Sequence, residues 1–248
     1  MPALSQQMQQ LSETCSHCSL RYLCLPDHLE THDLEKLERL VDSGAPVAAD
    51  TELFAQGDGL THIYAVRDGS AKTVRIDEEG FEQILGFYYP GDILGFDGFA
   101  DQKHHCSAVA LETSHFCRIP VDQLDALVDE LPSLRQRLTR LMSQVLSEDG
   151  RMMLTLGRKD SEGRISSLLL GLSRRRALRG MPATTVPLNM KRADLANFLS
   201  MRLETVSRVL TRLQRAQIIK VSQHRVEILD RDALRERSSR GAWVADQS

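Results

Sequence analysis

The stretch from Asn189 to Leu229, NMKRADLANFLSMRLETVSRVLTRLQRAQIIKVSQHRVEIL, constrains the fold of this chain more than any other. With Arg192 as its first position, apolar residues fall at Leu195, Leu199, Met201, Val206 and Val209, and small Ala196 sits where two helices would cross. That is the buried set of a helix-turn-helix, so the pattern predicts two short helices, the second over about 203–216. The segments IIKVS and RVEIL that follow read as a winged hairpin. Two positions depart from the usual pattern. The turn carries Ser200 where a positive φ, and hence glycine, is wanted. The second helix is entered through Arg202 instead of a capping Ser or Thr, which is worth ~1 kcal/mol.

The outer side of the second helix carries Glu204, Thr205, Ser207, Arg208 and Arg212. A DNA major groove admits such a helix, and its N-terminal residues reach base edges. Arg208 suits the O6/N7 edge of guanine, Glu204 the N4 amine of cytosine, and Ser207 a base or a phosphate. Thr205, Arg212 and Arg215 suit backbone phosphates, and Arg202 beside them can reach one. The charge distribution agrees. Residues 1–157 carry 12 Lys and Arg against 25 Asp and Glu, whereas residues 158–248 carry 19 against 9. A basic C-terminal part points to a polyanionic partner.

Eight of the fifteen glycines lie in residues 51–100, between short runs of strand formers such as THIYAV, AKTVRI and EQILGFYY. Turn signals at this interval predict an antiparallel barrel or sandwich over about 46–120, after a helix at roughly 27–43. From residue 121 the pattern becomes helical. VDQLDALVDEL stops near Pro132, and one long helix follows, with Leu134, Leu138, Leu141, Met142, Val145, Leu146 and Met152 along a single stripe. A partner copy of the same helix covers such a stripe, which predicts a homodimer with Leu138, Met142, Val145, Leu146 and Met152 on its seam. Asp149 falls on or beside that seam, where two like carboxylates would repel. The segment GRKDSEGR, 157–164, reads as a linker to a helix over Ile165–Arg179, a break at RGMPATT and a strand at VPL.

Three of the five cysteines, Cys15, Cys18 and Cys24, form C-x2-C-x5-C. The N-terminal MPALSQQMQQLSE lacks the features of a signal peptide, and no apolar run reaches the ~18 residues of a membrane span. The expected setting is cytoplasmic, without a membrane, where thiols stay reduced. Clustered thiols there favour a metal over disulfides. Three close thiolates plus one more meet the need of an iron–sulfur cluster, and C-x2-C also fits structural zinc. The fourth sulfur is Cys106 or Cys117; His17, between two cysteines, reads as solvated.

In CSHCSLRYLCLP, YAVRDGSAKT, EQILGFYYPGDILGFDGF, ALETSHFCRIP, LRQRLTRLMS and LETVSRVLTRLQ, the chain resembles the FNR family (fumarate and nitrate reduction regulators) of the cyclic-AMP receptor protein superfamily. The resemblance is nearly full length. It implies an oxygen-labile 4Fe-4S cluster on Cys15, Cys18, Cys24 and Cys117, with Cys106 spare. It further implies a homodimer joined through the long helix, with an aspartate at the Asp149 position on its seam. Such dimers bind palindromic DNA with TTGAT-like half-sites, read through E-x-x-S-R, here Glu204, Ser207 and Arg208. They activate anaerobic genes by contact with RNA polymerase, for which the loop around Asp77–Glu82 is one surface. Leu23 and Ser19, beside the ligands, either tune oxygen access or serve only local packing. The implied fold is α+β: a cysteine-rich segment (1–26), an antiparallel, jelly-roll-like β-roll sensor domain (27–120), a dimerisation helix (121–157) and a winged helix-turn-helix (158–248). Besides Ser200 and Arg202, the departures are the His104-His105-Cys106 run, which has no assigned role, and the wing turn SQHR without glycine.

The alternatives on the same fold are a zinc-stabilised regulator and a cyclic-nucleotide-dependent one. The latter needs a Glu after Gly91 and an Arg before Ser107 to clamp a phosphate; Asp92 and Cys106 stand there. An enzyme is not expected, since G-x-S-x-G, H-E-x-x-H and G-x4-G-K-S/T are all absent.

Overall fold

The computed structural model of the protein describes Cys15, Cys18, Leu20 and residues 31–241. Two compact units form, Met1–Gln144 and Val145–Ser248. In the first, helix α1 (Thr31–Leu40) precedes seven strands: β1 (Glu52–Phe54), β2 (His62–Asp68), β3 (Ala71–Ile76), β4 (Glu82–Tyr88), β5 (Ile93–Leu94), β6 (Ser107–Ala110) and β7 (His115–Pro120). All pairings are antiparallel, in two sheets of order β1-β6-β3-β4 and β5-β2-β7. The antiparallel sheets are what the glycine spacing predicts, and the β-roll is the fold that the resemblance implies. Helices α2 (Val121–Glu130) and α3 (Pro132–Arg158) follow, broken at Leu131 before the proline.

Strand β2 explains why THIYAV is a continuous apolar run instead of an alternating one. A strand points successive side chains to opposite faces. Ile63 and Ala65 pack with Leu37, Val121, Leu124 and Leu127 from the helices, while Tyr64 and Val66 pack between the sheets with Phe54, Leu94 and Phe116. The strand is therefore apolar on both sides. The same parity governs β7, where Phe116 joins the core between the sheets and Cys117 and Ile119 face the helices.

In the second unit, α4 (Ser161–Leu178) and β8 (Thr185–Pro187) precede α5 (Arg192–Phe198), α6 (Leu203–Arg215), β9 (Ile219–Ser222), β10 (Arg225–Ile228) and α7 (Arg231–Ser238). The predicted strand at VPL becomes the third strand of the wing, in the order β8-β10-β9. Val206, Leu213, Val226 and Leu234 are fully buried where these elements meet.

Several expectations are corrected. The segment 157–164 is not a linker: α3 runs to Arg158 and α4 starts at Ser161, earlier than Ile165. Asp160 caps α4 by accepting a hydrogen bond from the Gly163 amide at 2.7 Å, so the Gly-, Asp- and Ser-rich composition marks a helix end and an N-cap. The first helix is described over Thr31–Leu40, inside the expected 27–43. Leu138, expected on the dimer seam, is partly buried and also packs with Leu141 against the core of the first unit. The two compact units divide at Gln144, within α3. Helix α7 has no counterpart in the sequence reading; its signal is Asp230, which caps it through the Ala233 amide at 2.9 Å.

Candidate nucleic-acid interface and thiol site

Helix α5 closes in a Schellman turn. The Met201 amide donates to the Ala196 carbonyl at 2.9 Å and the Ser200 amide to that of Asn197 at 3.0 Å, with Ser200 at φ 51°. The left-handed residue is therefore at the position where the sequence predicts one, carried by serine. Helix α6 begins after Arg202, whose side chain makes no capping hydrogen bond. Val206, Val209, Leu210 and Leu213 bury one face, leaving Glu204, Ser207, Arg208 and Arg212 exposed and Thr205 partly so. All the base-reading and phosphate-binding candidates thus share one open surface. Leu203, 44% exposed at the first turn, adds an apolar group that the sequence reading did not single out.

Two of these side chains are already held. Arg208 Nη2 donates to Thr205 Oγ1 at 3.3 Å. Arg212 Nη1 donates to Glu162 Oε2 at 3.1 Å, and Arg237 and Arg240 reach the same carboxylate at 2.7 and 3.5 Å. Burial alone would raise the Glu162 carboxyl; hydrogen bonds from Arg237 and Arg212 outweigh it and hold the group below the usual carboxylate range. A cleft of about 340 Å³, lined by Ser161, Glu162, Thr205, Arg208 and Arg212 among others, opens beside α6. Arg212, expected to meet a phosphate, is thus anchored internally by one arm.

At the first unit, Cys15 and Cys18 lie on one turn, the Cys18 amide donating to the Cys15 carbonyl at 3.2 Å. The Leu20 amide approaches Cys18 Sγ at 3.4 Å. Burial, then the neighbouring Cys117, Glu38 and Cys18 push the Cys15 thiol up to about 12, against the opposing charge of Arg67. Burial also raises the Cys117 thiol, with Arg67 opposing and Cys18 and Asp42 adding. Cys15, Cys18 and Cys117 thus sense one another electrostatically. Cys24 lies outside the described residues. Among the described residues, no three His, Cys, Asp or Glu side chains are yet arranged to hold one ion.

Cys106 is elsewhere. It is buried between the sheets, its Sγ 3.4 Å from Asp97 Oδ2. The same carboxylate accepts from the His105 amide at 2.7 Å and lies 3.4 Å from the ring of His104, which stacks on Phe54. The His-His-Cys run therefore ties a loop into the roll.

Along α3, Met142, Val145 and Met152 are half-buried, Leu146 is 72% exposed, and Asp149 is exposed. Partial burial and the adjacent Glu148 raise the Asp149 carboxyl, against Arg175. Arg175 itself pairs with Glu148.

Residues 163–237 match the Crp-like helix-turn-helix domain and residues 46–130 the cyclic nucleotide-binding domain. The chain is 42% identical over 216 residues to the transcriptional activator protein Anr of Pseudomonas protegens, covering 87% of this chain and 88% of that one. It is 40% identical over 220 residues to the fumarate and nitrate reduction regulatory protein of Escherichia coli, covering 89% and 88%. The structure of FixK2 from Bradyrhizobium japonicum shares the fold, with a TM-score of 0.73 at 24% identity over 80% of this chain and 98% of that one. With its relatives named as regulators and its helix-turn-helix built as described, the chain belongs to the FNR family of transcription regulators in the cyclic-AMP receptor protein superfamily, and is not an enzyme.

Proposed function

We propose that this protein is an oxygen-responsive activator, working in the cytoplasm, which binds palindromic promoter DNA with TTGAT-like half-sites as a homodimer. The observation that carries the reading is the parity of β7, which turns Cys117 toward the side where Cys15 and Cys18 lie, whereas Cys106, just before β6, is buried between the sheets. Soft thiolate donors suit an iron–sulfur cluster, and Cys15, Cys18 and Cys117 with Cys24 supply the four sulfurs that one needs. When bound, a 4Fe-4S cluster supplies reactivity toward oxygen. The chain's part is to hold it. Burial raises the Cys15 and Cys117 thiols, so loading a metal there releases protons; Arg67 opposes their negative charge, and the Leu20 amide approaches Cys18 Sγ at 3.4 Å.

Strand β7 leads directly into α2 at Val121, and α2 into α3, so whatever fixes Cys117 bears on the helices that follow. Leu138, Met142, Val145, Leu146 and Met152 form the dimer seam, and the two copies of Asp149 oppose its closure. Pairing sets two α6 helices about one DNA turn, ~34 Å, apart. There Arg208, Glu204 and Ser207 read bases, and Thr205, Arg202 and the free arm of Arg212 meet phosphates. RNA polymerase meets the loop after β3, where Asp77 Oδ1 accepts from the Glu79 and Phe81 amides at 3.0 and 2.8 Å and leaves Phe81 68% exposed.

The test is iron, sulfide and zinc content of anaerobically purified protein, with binding to a duplex carrying two TTGAT half-sites before and after air. Iron and sulfide, with binding lost in air, are expected. Zinc in their place, with binding indifferent to air, overturns the reading in favour of a zinc-stabilised regulator. Calorimetric binding of cyclic AMP overturns it in favour of a nucleotide receptor.

A further inference from the structure

Arg164, on the first turn of α4, donates to four backbone carbonyls at once. Its Nη2 reaches the Leu156 oxygen at 2.7 Å and its Nε the Lys159 oxygen at 3.0 Å. Its Nη1 is shared between the oxygens of Leu199, at 2.9 Å, and Ser200, at 3.2 Å. Leu156 and Lys159 lie at the C-terminal end of α3, where carbonyls have no partner within the helix and the dipole is negative. Leu199 and Ser200 open the turn of the helix-turn-helix, with Ser200 in the left-handed conformation that serine adopts reluctantly. A planar fork of fixed geometry can bridge two such carbonyl pairs; an ammonium at the same place is a single point charge.

We infer that Arg164 is a positioning residue for DNA recognition, a pin that fixes the turn before the reading helix to the C-terminal end of the dimerisation helix. The inference deepens the proposed function and rests on its reading of α6 as the helix that enters DNA. Nothing in the geometry calls for Arg164 to touch DNA: its Nε and both terminal nitrogens are engaged by carbonyls. Its effect passes through the backbone of Leu199 and Ser200, three and two residues before Arg202, the N-cap of α6. The charge and the fork have separate consequences. Lysine at 164 keeps the attraction to the helix end and loses the simultaneous hold on both carbonyl pairs.

Anaerobic full-length protein and its Arg164→Lys variant are compared on the duplex with two TTGAT half-sites over a salt series, together with amide hydrogen exchange of each. Parent binding in that titration reports on the reading of α6 separately. The variant is expected to bind ten-fold or more weakly with an unchanged salt slope and unchanged dimer content, and to exchange the Ser200 and Met201 amides ten-fold or more faster. Adding Ser200→Gly, which relieves the left-handed strain at the turn, is expected to recover part of the lost affinity. Affinity within two-fold of the parent overturns the inference, and so does turn exchange equal to the parent's. A salt slope reduced by about one overturns it as well, because Arg164 would then be a direct phosphate contact.

Discussion

Arg237 Nη1 lies 2.7 Å from Oε1 of Glu162, joining the last helix to the first turn of α4 across 75 residues of chain. Arg212, from the reading helix, takes the other oxygen of the same carboxylate, which is 3% exposed. One buried acid thus gathers three elements of the DNA-binding unit. Glu162→Gln keeps the shape and removes the charge; since Arg212 and Arg240 can turn to water, the expected loss is about 1.5–3 kcal/mol, read by denaturant unfolding. The folded carboxyl is held below its ordinary range, so its stabilisation is complete above that range and disappears as pH falls through the lowered value. The acid-induced fall in stability should therefore be shallower in the variant.

The two remaining cysteines should part company. Cys117→Ser is expected to lose iron on anaerobic purification, and Cys106→Ser to retain it at the parent's stoichiometry, because Cys106 faces Asp97 inside the roll. Iron and sulfide analysis decides this. Loss of iron only from the Cys106 variant would mean that the ligand set is wrong.

Removing the seam charge should favour pairing. Two carboxylates about 4 Å apart repel by about 1–4 kcal/mol between aqueous and near-surface conditions. Asp149→Ala should raise the dimer association constant about ten-fold or more in air, measured by sedimentation. Because the Asp149 carboxyl is already raised by partial burial and Glu148, protonation comes early as pH falls, so the parent's dimer should tighten toward acid pH and the variant's should not. If both show the same pH dependence, Asp149 does not face its copy.

At the guanine expected to meet α6, Arg208→Ala should cost about 1–3 kcal/mol and relax the preference at that base alone. Removal of a positioning charge would weaken all sequences equally, which a panel of single-base operator variants distinguishes.

Two turns invite glycine. Gln217, at φ 57°, closes α6 as Ser200 closes α5, with the Ile218 amide donating to the Leu213 carbonyl at 3.0 Å. Ser200→Gly and Gln217→Gly should each stabilise by about 1 kcal/mol, visible as a raised midpoint in denaturant. An unchanged or lowered midpoint would mean that neighbouring contacts absorb the strain.

The helix-turn-helix was legible because its signals are local: the buried positions, the turn residue and the uncapped Arg202 all fall within a few residues of one another. The β-roll was legible from its punctuation, but the two-sided burial of β2 was not, since a continuous apolar run does not say what covers each face. Leu138 and Leu146 look alike in the heptad-like stripe, yet Leu138 is partly covered by the core of the first unit and Leu146 is open; only tertiary packing separates them. The segment 157–164 misled because an N-cap and a linker draw on the same small polar residues. The choice between Cys106 and Cys117 came from resemblance, and its physical basis is strand register, which spacing does not reveal.

That register limits how such a protein can change over time. Along β7, Phe116 and Cys117 are neighbours with opposite destinations. Deleting or inserting a single residue there would turn a phenyl ring toward the helices and bury the thiol among aromatics. Lineages that retune this strand must therefore exchange one side chain for another and leave its count of residues untouched.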